Sequence, residues 1–157
     1  ALAQVQRIAT LELCFDTVSC WQQLQRGIRA DKLYKTVPNT LDAALEPSDE
    51  ARVVTSATRP FVIEHVNGAW TKLCGYDPEE CLGKTLAILQ GPDTDASSVD
   101  NLVHDAERGH ASSALLTNYS KDGQKFRNFV RVFPLVDDNE GTTEISHMLG
   151  ILQNVVA

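Results

Sequence analysis

Cysteine and histidine are the residues of this chain that most readily bind metals or act as nucleophiles and bases. The four cysteines, which lack Cys-x-x-Cys spacing, are Cys14, Cys20, Cys74 and Cys81. The four histidines are equally dispersed, and no nucleophile–base motif or phosphate-binding loop is present. The pattern predicts no metal site and no enzyme, and scattered cysteines favour reduced thiols inside a cell.

Two amide side chains are the more informative polar residues. Asn118 and Asn128 fall within segments that read as β-strands, where asparagine is depleted, so each is expected to have a specific role. A buried amide must be hydrogen-bonded. The partners would be the other amide, water and the backbone, or a ligand, and the residues leave these alternatives open.

The elements that position these residues form two parts. From Ala3 to about Leu45, apolar residues recur at three- and four-residue steps, which predicts amphipathic helix. Pro38 would begin or kink a second helical segment, and Glu46 to Asp49 is a polar connector. We therefore predict a helical extension and linker over residues 1–50 and a second domain over 51–157.

The second part alternates with the period of two that is typical of strands. Asparagine or aspartate, typical residues at helix N-termini, precedes three predicted helices, at Asn67, Asp77 and Asp95. The predicted strands are Arg52 to Thr55, Phe61 to Val66, Ala111 to Ser120, Lys125 to Leu135 and Thr143 to Val155. Asp122-Gly123 is a strong hairpin signal between the third and fourth strands.

Two runs carry a resemblance to a known family. Gly83 to Asp95 reads Gly-Lys-Thr-Leu-Ala-Ile-Leu-Gln-Gly-Pro-Asp-Thr-Asp, and Asn118 to Gly123 reads Asn-Tyr-Ser-Lys-Asp-Gly. They resemble signature segments of LOV domains, the flavin-binding branch of the PAS sensor family, and the resemblance covers about Arg52 to Asn154. It implies an α+β fold: a five-stranded antiparallel sheet with short helices on one face and the N-terminal helical extension covering the other.

The resemblance also locates the flavin site of the family. Three positions keep the amide residues of the family: Gln90, Asn118 and Asn128. The other four are apolar: Leu86 at the photoactive cysteine, Ala87 and Val103 at the two phosphate-binding arginines, and Leu152 at the glutamine of the last strand. A shift of one residue would instead place Gln153 there, on the opposite face.

These four changes predict a vestigial pocket. A flavin phosphate normally requires charge-assisted hydrogen bonds, which Ala87 and Val103 cannot supply. Apolar replacements around a former cofactor cavity suggest that side chains fill the space, since an unfilled cavity is costly. We therefore expect no cofactor, and FMN in particular is not expected.

Strand alternation predicts what the opposite face of the sheet carries. If Asn128 points inward, an apolar patch, including Ile145, points outward and must be covered. The N-terminal helix would cover this patch either within one subunit or across a dimer. We favour a homodimer, and a heterodimer with another PAS protein is the alternative. The predicted interface residues are Phe15, Val18, Trp21, Ile28, Leu115, Tyr119, Phe129, Phe133, Leu149 and Ile151.

Bulk properties narrow the function further. The net charge of -7 argues against nucleic-acid binding by this segment, and no apolar run approaches the roughly 20 residues that span a bilayer. The start lacks a signal peptide and an initiator methionine, so we expect part of a longer intracellular protein, nuclear if it is a transcription factor and otherwise cytoplasmic.

The sequence thus predicts a flavin-free PAS dimerisation module of a signalling or transcription-regulatory protein, not a photoreceptor. The alternative is a small-molecule or flavin-binding sensor domain without cysteinyl-adduct photochemistry, because Leu86 has no thiol.

Overall fold

The computed structural model describes residues 36–137 and 143–155. Within them, five strands form one antiparallel sheet of order β2-β1-β5-β4-β3. The strands are β1 (Ala51–Ser56), β2 (Ile63–Val66), β3 (Ser112–Tyr119), β4 (Lys125–Val136) and β5 (Ile145–Asn154). The helices are α1 (Leu41–Leu45), α2 (Gly68–Cys74), α3 (Pro78–Cys81), a 3-10 helix (Leu86–Leu89) and α4 (Ala96–Glu107). The predicted α+β class with a five-stranded antiparallel sheet is confirmed.

The helices begin where the sequence places capping residues. Asn67 Oδ1 accepts from the backbone N–H of Trp70 at 3.0 Å, and α2 ends at Gly75, whose φ of 82° is in the left-handed region that favours glycine. Asp95 Oδ2 accepts from the N–H of Ser98 at 2.9 Å and starts α4. These local signals set where the helices begin and end, and packing against the sheet stabilises them.

The two faces of the sheet have different neighbours. The inner face packs against α2 and α4, and its core contains the buried side chains of Val53, Trp70 and Leu116. The helix α1 lies on the outer face, where Arg52 Nη1 donates to the carbonyls of Ala43 and Ala44 at 3.4 Å each. Residues 1–35 of the predicted helical extension lie outside the described residues.

The boundary predicted between residues 50 and 51 stays a prediction. The helix α1, which precedes it, belongs to the same compact unit as the sheet, Pro38–Ala157.

A β-bulge changes the face of the sheet on which the side chain of Ile145 lies. The pairing of β4 with β5 shifts register between Leu135 and Val136, and a shift of one residue reverses which face a side chain occupies. The side chain of Ile145 accordingly points to the face that carries α4. Its Cδ1 lies so close to Gly109, just beyond the end of α4, that a Cβ added to Gly109 would be 2.3 Å away. The prediction that Ile145 joins the outer face is therefore wrong.

Asn67 links α2 to the sheet, and its loss is expected to destabilise the fold. Its Oδ1 also accepts from the N–H of Arg52 at 2.9 Å, and its Nδ2 donates to the carbonyl of Glu50 at 2.6 Å. We expect Asn67→Ala to lower the free energy of unfolding by about 2 kcal/mol, measured by urea denaturation.

Asn101→Ala, on an exposed position of α4, is the control and should change stability by less than about 0.5 kcal/mol. Equal effects of the two substitutions would contradict the role assigned to Asn67.

Candidate ligand-binding site

A cavity of about 260 Å³ lies between the inner face of the sheet and the helices. Nineteen of the described residues line it, and none of these is charged: Thr55, Pro60, Phe61, Thr85, Leu86, Ala87, Leu89, Gln90, Val99, Leu102, Val103, Ala106, Leu116, Asn118, Asn128, Val130, Val132, Met148 and Leu152. The volume is just below the range of about 300–1,000 Å³ typical of small-molecule sites. The cavity can therefore enclose a compact, largely apolar group.

All seven residues predicted for the vestigial pocket line this cavity. The 3-10 helix supplies Leu86 and Ala87, and Gln90 follows it directly. The helix α4 supplies Val103, and the strands supply Asn118, Asn128 and Leu152. The apolar residues at four of these positions do not fill the cavity, contrary to expectation, because they surround a volume of about 260 Å³.

Asn118 and Asn128 form a buried amide pair. Nδ2 of Asn128 donates to Oδ1 of Asn118 at 2.9 Å, and Nδ2 of Asn118 donates to the carbonyl of Leu89 at 3.1 Å. Oδ1 of Asn128 accepts from the N–H of Gln153 at 3.2 Å. Asn128 is 0% and Asn118 4% exposed. Since an amide nitrogen has two donors, these bonds leave one further N–H on each side chain.

The register of β5 decides which of its residues reaches the cavity. Leu152 pairs with Ala51 on one side and Val130 on the other, and it lines the cavity while 4% exposed. Gln153 is exposed and pairs with Phe129. The apolar residue, rather than the neighbouring amide, is therefore the one that borders the cavity on β5.

Strand alternation accounts for several lining residues that the site prediction left out. Val130 and Val132 lie two and four residues beyond Asn128 on β4, and so they share its face. Pro60 and Phe61, by contrast, come from the connection between β1 and β2, because β2 begins at Ile63 and not at Phe61, where the sequence predicted it to begin.

Three exposed lining residues, Pro60, Ala87 and Gln90, form what we call the mouth of the cavity. Beside it, an ion pair joins Arg59 to Glu107. The hydrogen bond from Arg59 holds the pKa of the Glu107 carboxyl below its usual value, and the same bond raises the pKa of Arg59. Both side chains remain charged near neutral pH, and the charges at this side of the mouth offset each other.

No cysteine lines the cavity among the described residues. Cys74 and Cys81 are free thiols with 0% exposure, packed in the core. Burial raises the pKa of Cys74 to about 12, and burial also raises the pKa of Cys81. Both sulfurs are therefore protonated near neutral pH, which makes them poor nucleophiles.

Within the described residues, no group of three or more His, Cys, Asp or Glu side chains is placed to hold a metal ion. No described helix is both long and apolar enough to cross a membrane.

The structure describes six of the ten residues predicted for the helix–sheet or dimer interface. Leu149 and Ile151 are buried on the outer face, Phe129 and Phe133 are half-buried, and Leu115 is 47% exposed. The other four, Phe15, Val18, Trp21 and Ile28, lie outside the described residues.

Tyr119 is the sixth, and it packs at the edge of the sheet rather than over its outer face. Its ring lies against Gly91, where an added Cβ would be 2.3 Å from Cε2, and its hydroxyl accepts from the N–H of Asp93 at 3.1 Å. This placement follows from the position of β3 as an edge strand.

The outer face also holds a buried ionic cluster that the sequence did not reveal. Glu50 accepts from Nη2 of Arg52 at 3.1 Å and lies 3.9 Å from Nη2 of Arg131. Both arginines are less than 10% exposed, so their charges depend on being paired.

Comparison with known proteins now identifies the family. The model of the PAS domain matches residues 53–157. The chain belongs to the PAS domain family. It is similar to phototropin-2 of rice, with 38% identity over 104 residues, which are 66% of this chain and 12% of that protein. The chain thus spans only a small part of the length of this relative.

Two solved structures place this PAS domain in the LOV type. The dark structure of the LOV domain of the blue-light photoreceptor aureochrome 1 is 29% identical and has a TM-score of 0.64; the match covers 78% of this chain and 88% of that one. A LOV domain studied with a flavin analogue is 28% identical with a TM-score of 0.62, covering 74% and 82%.

These relatives contradict the predicted function. The sequence predicted a flavin-free dimerisation module that is neither a photoreceptor nor a cofactor-binding domain, yet the similar proteins are blue-light photoreceptor and flavin-associated LOV domains. The error has a physical origin: four apolar replacements were taken to close the pocket. The structure retains a cavity, and its amide pair remains at the inner wall. The alternative, a sensor domain, fits better.

The amide pair is expected to stabilise the fold as a coupled unit. Asn128→Ala should lower the free energy of unfolding by about 3 kcal/mol, because it leaves the Asn118 carbonyl and the Gln153 N–H without their buried partner. In a double-mutant cycle measured by denaturation, Asn118→Ala and Asn128→Ala together should cost about 1 kcal/mol less than the sum of the single changes.

Asn154→Ala provides the control, since Asn154 is paired with Asn128 in the sheet but is exposed. Strict additivity of Asn118→Ala and Asn128→Ala would rule out the coupling.

Proposed function

We propose that this domain is a flavin-binding sensor within a larger signalling protein, and that it works without a cysteinyl adduct. The observation that carries the proposal is the uncharged cavity with a buried amide pair, in a PAS domain similar to LOV photoreceptors. A bound flavin supplies absorption of blue light. The protein supplies the walls that orient the ring and exclude water.

The lining residues fit the ring system of a flavin. Its flat, apolar surface matches side chains such as Leu89, Val130 and Leu152. Its polar edge carries both donors and acceptors, and it would meet the remaining N–H groups of Asn118 and Asn128. Gln90 is an exposed amide at the mouth and would contact the ring from that side.

The absence of adduct chemistry is part of the proposal. Leu86, at the position of the photoactive cysteine in the family, lines the cavity and has no thiol. Cys74 and Cys81 lie elsewhere in the core and have raised thiol pKa values. A flavin in this cavity would therefore be held by non-covalent contacts alone.

An absorption spectrum tests this function. We expect protein supplied with flavin to retain a blue-light absorption band through gel filtration, to release it on denaturation, and to keep it without covalent bleaching under illumination. Protein that stays folded but retains no flavin after incubation with an excess of it would refute the proposal.

A matched pair of variants tests the role of position 86. Leu86→Cys places a thiol in the cavity and should confer light-dependent bleaching that reverses in the dark. Leu86→Ser, with a hydroxyl in place of the thiol, should bind flavin without bleaching. Identical behaviour of the two variants would show that position 86 does not face the reactive part of the ring.

We also propose that the domain pairs with a second copy of itself through the outer face of the sheet, inside the cell, and without catalysis of its own. The exposed Leu115 supports this pairing, because it lies opposite the half-buried Phe129 in the sheet and extends the apolar surface to the edge strand. The free thiols of Cys74 and Cys81 agree with a reducing compartment.

Light scattering tests the pairing. Leu115→Asp should shift the solution mass toward that of the monomer, because it places a charge in the apolar contact. Asn101→Asp, on the exposed face of α4, should leave the mass unchanged. A wild-type protein that is monomeric at high concentration would contradict the proposal and favour coverage of the sheet within one subunit.

A further inference from the structure

The described lining of the cavity offers no charged group that would bind a phosphate. None of its nineteen lining residues is Asp, Glu, Lys, Arg or His. Anions of high charge are normally held by charge-assisted hydrogen bonds, and burying one without a cation is costly. Any part of a ligand that lies inside this cavity is therefore expected to be uncharged.

Two cationic side chains of the described residues adjoin the cavity lining near its mouth, and both lie near carboxylates. Arg59, which adjoins Pro60, is paired with Glu107 and also lies near enough to Asp100 for that carboxylate to raise its pKa. Lys84, which adjoins Thr85, lies near Glu80: the hydrogen bond from Lys121 is the main cause of the lowered pKa of that carboxyl, and the charge of Lys84 adds a smaller contribution. Arg59 is thus already paired with a carboxylate, Lys84 lies near one that Lys121 binds, and the net charge of the chain is -7.

The buried side chains that can hydrogen-bond a ligand lie at the inner wall of the cavity instead. The amide pair of Asn118 and Asn128 is 4% and 0% exposed, and each amide keeps one N–H beyond its internal bonds. In such a buried environment a hydrogen bond is strong and an unpaired polar group is costly, so these amides favour a ligand that can bond to them. Recognition is therefore concentrated on the ring end of a ligand and not on a chain that extends toward the mouth.

We propose that the site recognises the flavin ring alone, so that riboflavin binds at least as tightly as its phosphate ester FMN. This inference rests on the proposed flavin-binding function. The residue that sets this selectivity at the mouth is Ala87, an exposed lining position that has neither charge nor hydrogen-bonding side chain.

Parallel titrations of flavin-free protein with riboflavin and FMN, followed by flavin fluorescence at constant ionic strength, test the inference. The riboflavin Kd should be equal to or lower than the FMN Kd at pH 7.5. FMN affinity should also decline as the pH rises through about 6, where a phosphate monoester gains its second charge, while riboflavin affinity stays constant. An FMN Kd reproducibly lower than the riboflavin Kd would overturn the inference and leave the flavin-binding function standing. Failure of both ligands to bind would overturn the function and the inference together.

Ala87→Arg and Ala87→Gln form a matched pair that differs in charge. The arginine variant should raise FMN affinity about tenfold relative to riboflavin, because the guanidinium can pair with the phosphate at the mouth. The glutamine variant should keep the wild-type ratio. Since Ala87 is exposed, both variants should keep the wild-type circular dichroism spectrum. An unchanged ratio in a folded Ala87→Arg protein would overturn the assignment of selectivity to this position.

Discussion

The antiparallel pairing of β5 with both β1 and β4 is the constraint on which the site depends. It places β5 at the centre of the sheet and sets Leu152 between Ala51 and Val130. Because side chains alternate between the faces, this register determines which residues meet the helices and which lie on the outer face. A shift by one residue would move Gln153 inward and bring a polar group to a wall that is now apolar.

The helical side of the site is held by hydrogen bonds as well as by apolar packing against the sheet. The N-terminal cap of the 3-10 helix is Thr85, whose Oγ1 accepts from the N–H of Ala87 at 3.4 Å. Farther along, Thr94 Oγ1 donates to the carbonyl of Thr117 at 2.6 Å and ties the segment after Gln90 to the edge strand β3. One local and one long-range hydrogen bond thus help to hold the segment around the mouth in place.

Much of this architecture could be predicted from the sequence, because its signals are periodic or local. Alternation placed Asn128 and Val130 on one face, and caps such as Asn67 and Asp95 fixed helix starts. The facing of Ile145 could not be predicted, since a bulge left no signal in the sequence. The cavity could not be predicted either: residue type gives the volume of Leu86 but not the distance between the walls around it. The helical pattern predicted for residues 1–35 is not compared with the structure, because these residues lie outside the described part of the chain.

The hydrogen bond between Asn128 and the backbone of β5 connects the cavity to the end of the last strand. Oδ1 of Asn128 accepts from the N–H of Gln153, two residues before the end of the described chain, while the same amide forms part of the cavity wall. Any rearrangement of that amide by an occupant changes the anchoring of the strand terminus. Occupation of the cavity and anchoring of the end of β5 are therefore energetically coupled, and this coupling operates in both directions.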